Sequence, residues 1–429
     1  MPFQAGFAKV DITPPIGTHK IGWLKDIVSH AVLDSLFARA AVFRTPEQQV
    51  AFVQLDTLFA AWPEVVAIRR GIEAEYGFPQ KHMMVSATHN HAGPAVADCG
   101  DVKQDAAYTQ MLISRTVEAF GKALTCMEDA EIGYGSGFEW GVAHNRRVVM
   151  RDGTVRTHGT FKDASALCLE GPIDPEVAVI AVRNRAGKPL GAVVNFACHP
   201  THHGGDTAIS AGYPGVLVSE LQAQGWPVAL FLNGASGNIH TSNPREGGAG
   251  LSQEDAGKFL AENVLRIVKK MAFRRDAELG VVCSALELPY RRVTEEEIKG
   301  ESRGAQRFID SAIYDRHIPA LLAEIERRGK AIVEMQILYL DEYAVVGVPG
   351  EYFVELGLWI KQEAHPMHAL VAGYTNGNLG YIPTQDAFRR GGYETTFGTV
   401  SNLAPEAGEL IAARAIGLIK QKIRTTPGA

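Results

Sequence analysis

PLGAVVNFACHPTHH, residues 189–203, carries a run of small and β-branched apolar residues straight into a knot of histidines. The run has the character of a buried strand. Pro200 closes it, because proline offers no N–H to a sheet ladder. His199 is thereby fixed near a strand's carboxyl end. The same arrangement recurs three times: HMMVSA leads into Thr88-His89-Asn90-His91, WPVALFL into NGASGN (233–238), and YAVVGV into Pro349-Gly350-Glu351. Open α/β sheets gather ligands outside the carboxyl ends of their strands, so four such ends rich in His, Ser and Glu point to one crevice.

Working outward, short Val-, Ile- and Phe-rich runs alternate with longer stretches of helical spacing. Candidate strands are 49–55, 82–87, 189–197, 227–232, 334–340, 343–348 and 369–374, and candidate helices are 62–76, 105–124, 215–224, 252–270 and 406–422. The expected fold is α/β: a layered mixed β-sheet domain with flanking helices and a metal site at the strand C-terminal ends. The 429 residues suffice for one large unit or two. No Pro/Ser linker, repeat or low-complexity tract divides them, so a single domain over 1–429 is expected. The charged segment 295–330 reads as an exposed helical excursion.

The net charge of -6, without a long run of one sign, excludes the electrostatic footprint of a nucleic-acid binder or of a protein that docks on anionic membranes. Cys99, Cys126, Cys168, Cys198 and Cys283 form no CxxC pair, which argues against a disulfide framework and against a thiolate zinc site. The opening MPFQAGFAKVDITPP has no basic stretch followed by an apolar one, and no run of about 18 apolar residues occurs. The expectation is a cytoplasmic protein with no stable membrane association.

Residues two apart in an extended segment share a face, so His89 and His91 are placed to enter one cleft, the first as a ligand and the second as a neighbouring acid/base. Two hydrogen-bonded loop histidines would give the same pattern. Glu351, behind the Pro349-Gly350 turn, is aimed back over the sheet end. Two imidazoles and a carboxylate leave zinc an open position for water, which it acidifies towards neutrality. Manganese or iron would accept the same donors. Asp56, at the end of a strand, is a candidate for orienting a ligating histidine. Ser236 lies in GASGN, which ends in Asn where a nucleophile elbow requires Gly.

With these stretches in view, the sequence resembles the neutral, non-lysosomal ceramidase family over nearly its whole length. AGFAKVDITPP (5–15), SATHNHAGP (86–94), NFACHPT (195–201), NGASGN, VPGEYF (348–353) and YIPTQDAFRRGGYE (381–394) carry the resemblance. It implies zinc ligands at His89, His199, Glu351 and Tyr381; Tyr381 rests on the resemblance alone. It also implies that His91, Arg146 of HNRR and Tyr393 surround the scissile carbonyl, with Arg147 the competing choice for Arg146. Ser236 stands where the family has Ser-Pro-Asn, but glycine replaces the proline. Longer members carry a further β-sandwich domain beyond the last helix.

These readings converge on a hydrolase with one catalytic Zn2+ ion that cleaves an amide (N-acyl) bond. Metal-bound water attacks, while His91, Tyr393 and Arg146 hold the oxyanion. The expected partner is a small, polar substrate molecule rather than bilayer ceramide, with Asn90, His202, His203, Asn376 and Asn378 as candidate polar contacts. The same groups fit turns equally well. An ester-, lactone- or saccharide-acting enzyme, a true ceramidase and a non-catalytic metal-stabilised binding protein are the alternatives.

Overall fold

A computed structural model describes residues 2–248 and 250–425. Its main sheet is built from β1 (Gln4–Asp11), β2 (Phe37–Arg44), β3 (Gln49–Leu55), β4 (Met83–Ala87), β5 (Glu128–Phe138), β6 (Glu176–Asn184), β7 (Pro189–Phe196) and β8 (Ala229–Asn233), in the order β8-β7-β6-β5-β1-β2-β3-β4. A ninth strand, Phe273–Arg274, pairs with β5. Neighbours are antiparallel except at the two margins, where β3 runs parallel to β4 and β7 parallel to β8. Parallel neighbours need a crossover. α1 (Trp62–Tyr76) makes the first and α3 (Gly212–Ala223) the second, while α2 (Ala106–Thr125) follows β4 and α4 (Gln253–Lys269) follows β8.

Period-two alternation sorts the two faces of this sheet. In β3, Ala51, Val53 and Leu55 pack with Ile68 and Phe120 of α1 and α2, and Val50 and Phe52 face the other way. In β6 and β7, Val179 and Val194 meet Leu217 and Leu260 of α3 and α4, and Ile180 and Val193 again face away. The second layer is a four-stranded sheet. Its strands are β9 (Leu279–Pro289), β10 (Lys330–Leu340), β11 (Tyr343–Gly347) and, beyond a short β12 (Glu351–Tyr352), β13 (His368–Ala372), in the order β9-β10-β11-β13. Leu338, Leu340 and Leu370 meet Phe43, Phe52 and Leu230 of the main sheet, while Met335 and Ile337 pack under α7 (Val354–Glu363) and α8 (Ala407–Thr425). The layers are helix, sheet, sheet, helix.

The expected α/β layering with the polar clusters beyond the strand ends is what the chain adopts, although the hydropathy reading omits β1, β2, β5, β6 and β9. β5 explains why. Gly133, Gly135 and Gly137 occupy its helix-facing positions, and a Cβ would lie 2.7 Å from Met271 Sδ at the first and 2.8 Å from Ile267 Cγ2 at the second. Close helix packing has emptied that face of side chains, and with them of the apolar signal. The charged stretch 295–330 supplies α5 (Glu295–Lys299) and α6 (Ser311–Arg328), and α6 buries Ile313, Tyr314 and Ile318 with Leu24 and Phe397. Among the described residues no helix is long and apolar enough to cross a membrane.

Inter-sheet packing is open to test at Phe52, which is fully buried and meets Phe43 edge-on at 5.9 Å. Phe52→Ala should cost about 3–5 kcal/mol. Chemical denaturation should record this as a lower midpoint at unchanged slope; an unmoved midpoint would mean that the two sheets do not depend on this contact.

Candidate metal centre

β4 stops at Ala87, and the histidines come just beyond it. The Thr88 N–H still reaches the Leu55 carbonyl (2.9 Å), but His89 turns into the left-handed region with φ 66°. Such a conformation costs a non-glycine residue of order 1–3 kcal/mol and recurs at functional sites. This bend, and not an extended strand, brings His89 and His91 to one place, with their rings edge to face at 4.7 Å. His199 lies beyond β7, its N–H on the Ile239 carbonyl at 3.2 Å. Glu351 opens β12, which pairs in parallel with β14 (Tyr381–Ile382) so that Glu351 and Tyr381 are register partners. Gly350 permits this approach: a Cβ there would sit 2.7 Å from the Gly380 carbonyl oxygen.

Four atoms converge. His89 Nε2 lies 3.0 Å from His199 Nε2 and 3.1 Å from His91 Nε2, and Glu351 Oε2 lies 3.3 Å from His89 Nε2 and 3.1 Å from His199 Nε2. Each imidazole is anchored through its other nitrogen: His89 Nδ1 on the Leu58 carbonyl (3.0 Å), His91 Nδ1 on Gly22 (2.9 Å) and His199 Nδ1 on Ser236 (2.9 Å). A carbonyl only accepts, so each Nδ1 carries the hydrogen and each Nε2 of a neutral ring presents a lone pair. Two of the rings, His199 and His91, are held neutral. Burial, followed by the charge of Arg146, lowers His199 to about 4, and burial holds His91 well below the ordinary imidazole value.

Three lone pairs and a carboxylate oxygen about 3 Å apart repel one another unless a cation lies among them. Glu351 Oε2 is buried without a hydrogen-bond donor. A tetrahedral zinc with bonds of about 2.0–2.1 Å has ligand–ligand edges of about 3.3 Å, close to the spacings here. The donor set therefore fits a metal ion, and His89, His91 and His199 alone form a cluster able to hold one.

Tyr381 accepts a hydrogen bond from Arg146 Nη2 (3.1 Å), and its ring lies nearly parallel to that of His199. Arg146 also donates from Nη2 to the Gly237 carbonyl (2.8 Å) and from Nε to Glu394 Oε1 (2.9 Å). Arg147 turns elsewhere, to Glu170, to the Gly391 carbonyl and to Glu394 Oε2 at 2.6 Å. Only Arg146 reaches the centre. Glu394, fully buried between the two guanidinium groups and the Thr157 hydroxyl (2.7 Å), was not singled out from the sequence. Its burial alone would raise the carboxyl, but Arg147, then Arg146 and Thr157, outweigh that and hold it down to about 2. Tyr393 meets Tyr381 edge-on at 5.4 Å and stacks on Phe308 at 4.5 Å.

Several other candidates are spent within the fold. Asp56 binds Arg39 and the Phe37 N–H, and no imidazole, so backbone carbonyls take the orienting part expected of it. Ser236 is fully buried with its hydroxyl on Tyr374 Oη (2.9 Å), and Tyr374 stacks on His89 at 3.9 Å. No imidazole or carboxylate bonds that hydroxyl among the described residues. Asn376 clamps the Val85 N–H and Gln336, Asn90 the Ala92 N–H, Asn378 the Gly380 N–H, His202 the Leu251 carbonyl and His203 Asp206.

No protein-family model and no curated protein matches the chain. Solved structures do, among them two ceramidases. The neutral ceramidase of Pseudomonas aeruginosa superposes with a TM-score of 0.75 at 17% identity, over 98% of this chain and 75% of that one. A structure described as ceramidase complexed with C2 does so with a TM-score of 0.75 at 15% identity, over 100% and 76%. The chain has the fold of the neutral ceramidases.

Glu394 gives the centre a measurable acid dependence. Its folded value of about 2 lies below the ordinary 4.5, so its stabilisation is complete above pH 4.5 and is lost as pH falls through about 2. The shift corresponds to about 3 kcal/mol. In metal-free protein, Glu394→Gln should be less stable at neutral pH, and its stability should fall by about one proton's slope less between those values. An acid limb identical to that of the wild type would contradict the assignment.

Proposed function

We propose that this chain is a metal-dependent hydrolase, with zinc as its ion, that cleaves the amide bond of a small N-acyl compound. One observation carries the reading: three Nε2 lone pairs and an unpartnered carboxylate oxygen converge just beyond the strand ends. The fold supports the choice of bond, since the solved neighbours are ceramidases and ceramide is an N-acyl compound.

His89, His199, Glu351 and Tyr381 would hold the ion. When bound, zinc polarises a carbonyl and acidifies water towards neutrality. The chain's own groups do the rest. His91, at 9% the most exposed of the three histidines, carries its hydrogen on Nδ1. Its Nε2 therefore accepts the proton of the attacking water, rather than donating to an oxyanion as the resemblance implied. It then delivers that proton to the departing nitrogen as the C–N bond breaks. Tyr393, edge-on to Tyr381, is left as the hydroxyl donor to the developing oxyanion. Arg146 acts through Tyr381, whose oxygen it holds by Nη2. Glu394 in turn fixes Arg146. Ser236, bound to Tyr374, is a structural hydroxyl.

Metal analysis of purified protein should find about one zinc per chain, and His89→Ala, His199→Ala and Glu351→Ala should lose both metal and activity. His91→Ala and Tyr393→Phe should keep the metal and lose about 10²–10⁴ in kcat on an N-acyl substrate. Loss of zinc in His91→Ala would make that residue a ligand instead of the base. Full turnover after chelation would overturn the metal-dependent reading itself.

A further inference from the structure

Tyr314 carries a hydroxyl that packing does not require. The residue lies in the first turn of α6, 5% exposed, in an apolar cluster with Leu24, Ile313, Ile318 and Phe397 against which Tyr393 packs. Its ring is seated on Gly398, where a Cβ would lie 3.0 Å from Tyr314 Cδ1, and the Arg307 guanidinium lies over it at 5.1 Å. A phenylalanine would fill this place equally well. Instead Tyr314 Oη is buried without a hydrogen-bond partner, an arrangement that costs stability.

Three polar groups face that oxygen. Burial pushes the phenol up to about 12, and the Phe308 N–H, the Arg307 guanidinium and the Tyr393 hydroxyl each moderate the rise. An N–H and a guanidinium only donate. Of the three neighbours, the Tyr393 oxygen is therefore the one able to accept the Tyr314 hydrogen. Phe308 stacks on the Tyr393 ring at 4.5 Å, the Tyr393 N–H donates to Thr157 Oγ1 (3.1 Å), and its carbonyl accepts from the Thr396 N–H (3.1 Å). Its hydroxyl makes no hydrogen bond among the described residues. A phenol that accepts at its oxygen sends its own hydrogen elsewhere, and this ring stands edge-on to Tyr381 at 5.4 Å.

α6 is itself tied to the scaffold of the centre. Arg316 Nη2 (2.5 Å) and His317 Nε2 (3.0 Å) donate to Asp101, whose N–H binds the Leu24 carbonyl at 2.8 Å. Leu24 has a left-handed φ of 57° and stands two residues from Gly22, whose carbonyl orients His91. The helix that carries Tyr314 is thus fastened to the same stretch of chain that fixes His91.

We infer that Tyr314 is a positioning residue: its hydroxyl donates to Tyr393 Oη in the reacting complex, which fixes the Tyr393 ring and turns the Tyr393 hydrogen towards the developing oxyanion. The inference rests on the hydrolase reading and deepens it. Hydrogen bonds in series polarise one another, so a Tyr393 that accepts from Tyr314 is also the better donor. Tyr314 makes and breaks no covalent bond, and its hydrogen stays on its own oxygen. The orphaned hydroxyl is the cost of holding that donor ready in a water-free place.

Tyr314→Phe removes the oxygen and keeps the ring. Zinc-loaded wild type and variant are compared on 4-nitroacetanilide, an N-acetyl compound that releases a coloured amine. The variant should keep its zinc, its KM and its unfolding midpoint and lose about tenfold in kcat, a split that a purely structural residue would not produce. In a Tyr393→Phe background the same substitution should have no further effect, because residues that act as a unit are not additive. A second readout needs no turnover. In protein labelled with 3-fluorotyrosine, the Tyr393 fluorine resonance, assigned by its loss in Tyr393→Phe, should shift in Tyr314→Phe. An unchanged kcat, or a loss that persists in full in the Tyr393→Phe background, would overturn the inference and leave the hydrolase standing. A wild type inactive on N-acyl compounds would remove the hydrolase and with it the catalytic part of the inference; the pairing of the two phenols would then stand on a shifted resonance and fall on an unmoved one.

Discussion

Three backbone carbonyls, on Gly22, Leu58 and Ser236, decide what the centre can be. Each accepts the Nδ1–H of one histidine and so fixes both the ring's orientation and its tautomer. The consequence is electrostatic. Three Nε2 lone pairs are pressed together beside a carboxylate, an arrangement that protein groups alone leave repulsive. Carboxylates often orient metal-binding histidines; here the backbone does so, at the cost of a left-handed residue at His89.

The sheets hold those carbonyls in register. β3/β4 and β7/β8 are the two parallel pairs of the main sheet, at its opposite margins. β11 and β13 form a third parallel pair in the second sheet, and their carboxyl ends meet the other two. The Ala87 N–H binds the Tyr374 carbonyl and the Gly373 N–H binds Asn233, which stitches the ends of β4, β8 and β13 together. The fully buried chain Arg147–Glu394–Arg146 then braces Tyr381 from the far side. Removing one member of such a buried set leaves an uncompensated charge, so its worth is in geometry more than in net stability.

How much of this was legible follows from the kind of signal each part emits. His89, His199 and Glu351 announce themselves because apolar runs end on them, and the α/β layering is written in the same runs. The carbonyls on Gly22, Leu58 and Ser236 have no signature, since every residue carries one. Tyr381 was reachable only by resemblance: its place beside Glu351 depends on the register of two two-residue strands. Glu394 reads as an ordinary charged residue until its partner Arg147, 247 positions away, is brought against it. β5 is hidden by its own glycines, and Asp56 has the sequence position of an orienting carboxylate after a strand, whereas its partner is Arg39 on the neighbouring strand.

The central claim is that His89, His199 and Glu351 surround one metal ion with nitrogen and oxygen alone. X-ray absorption at the zinc edge, recorded on protein carrying one equivalent of zinc, addresses it most directly. The expected spectrum has a four- to five-coordinate nitrogen/oxygen shell at about 2.0–2.2 Å, with the outer-shell scattering of at least two imidazoles. A sulfur shell near about 2.3 Å, or a shell without imidazole scattering, would contradict the claim.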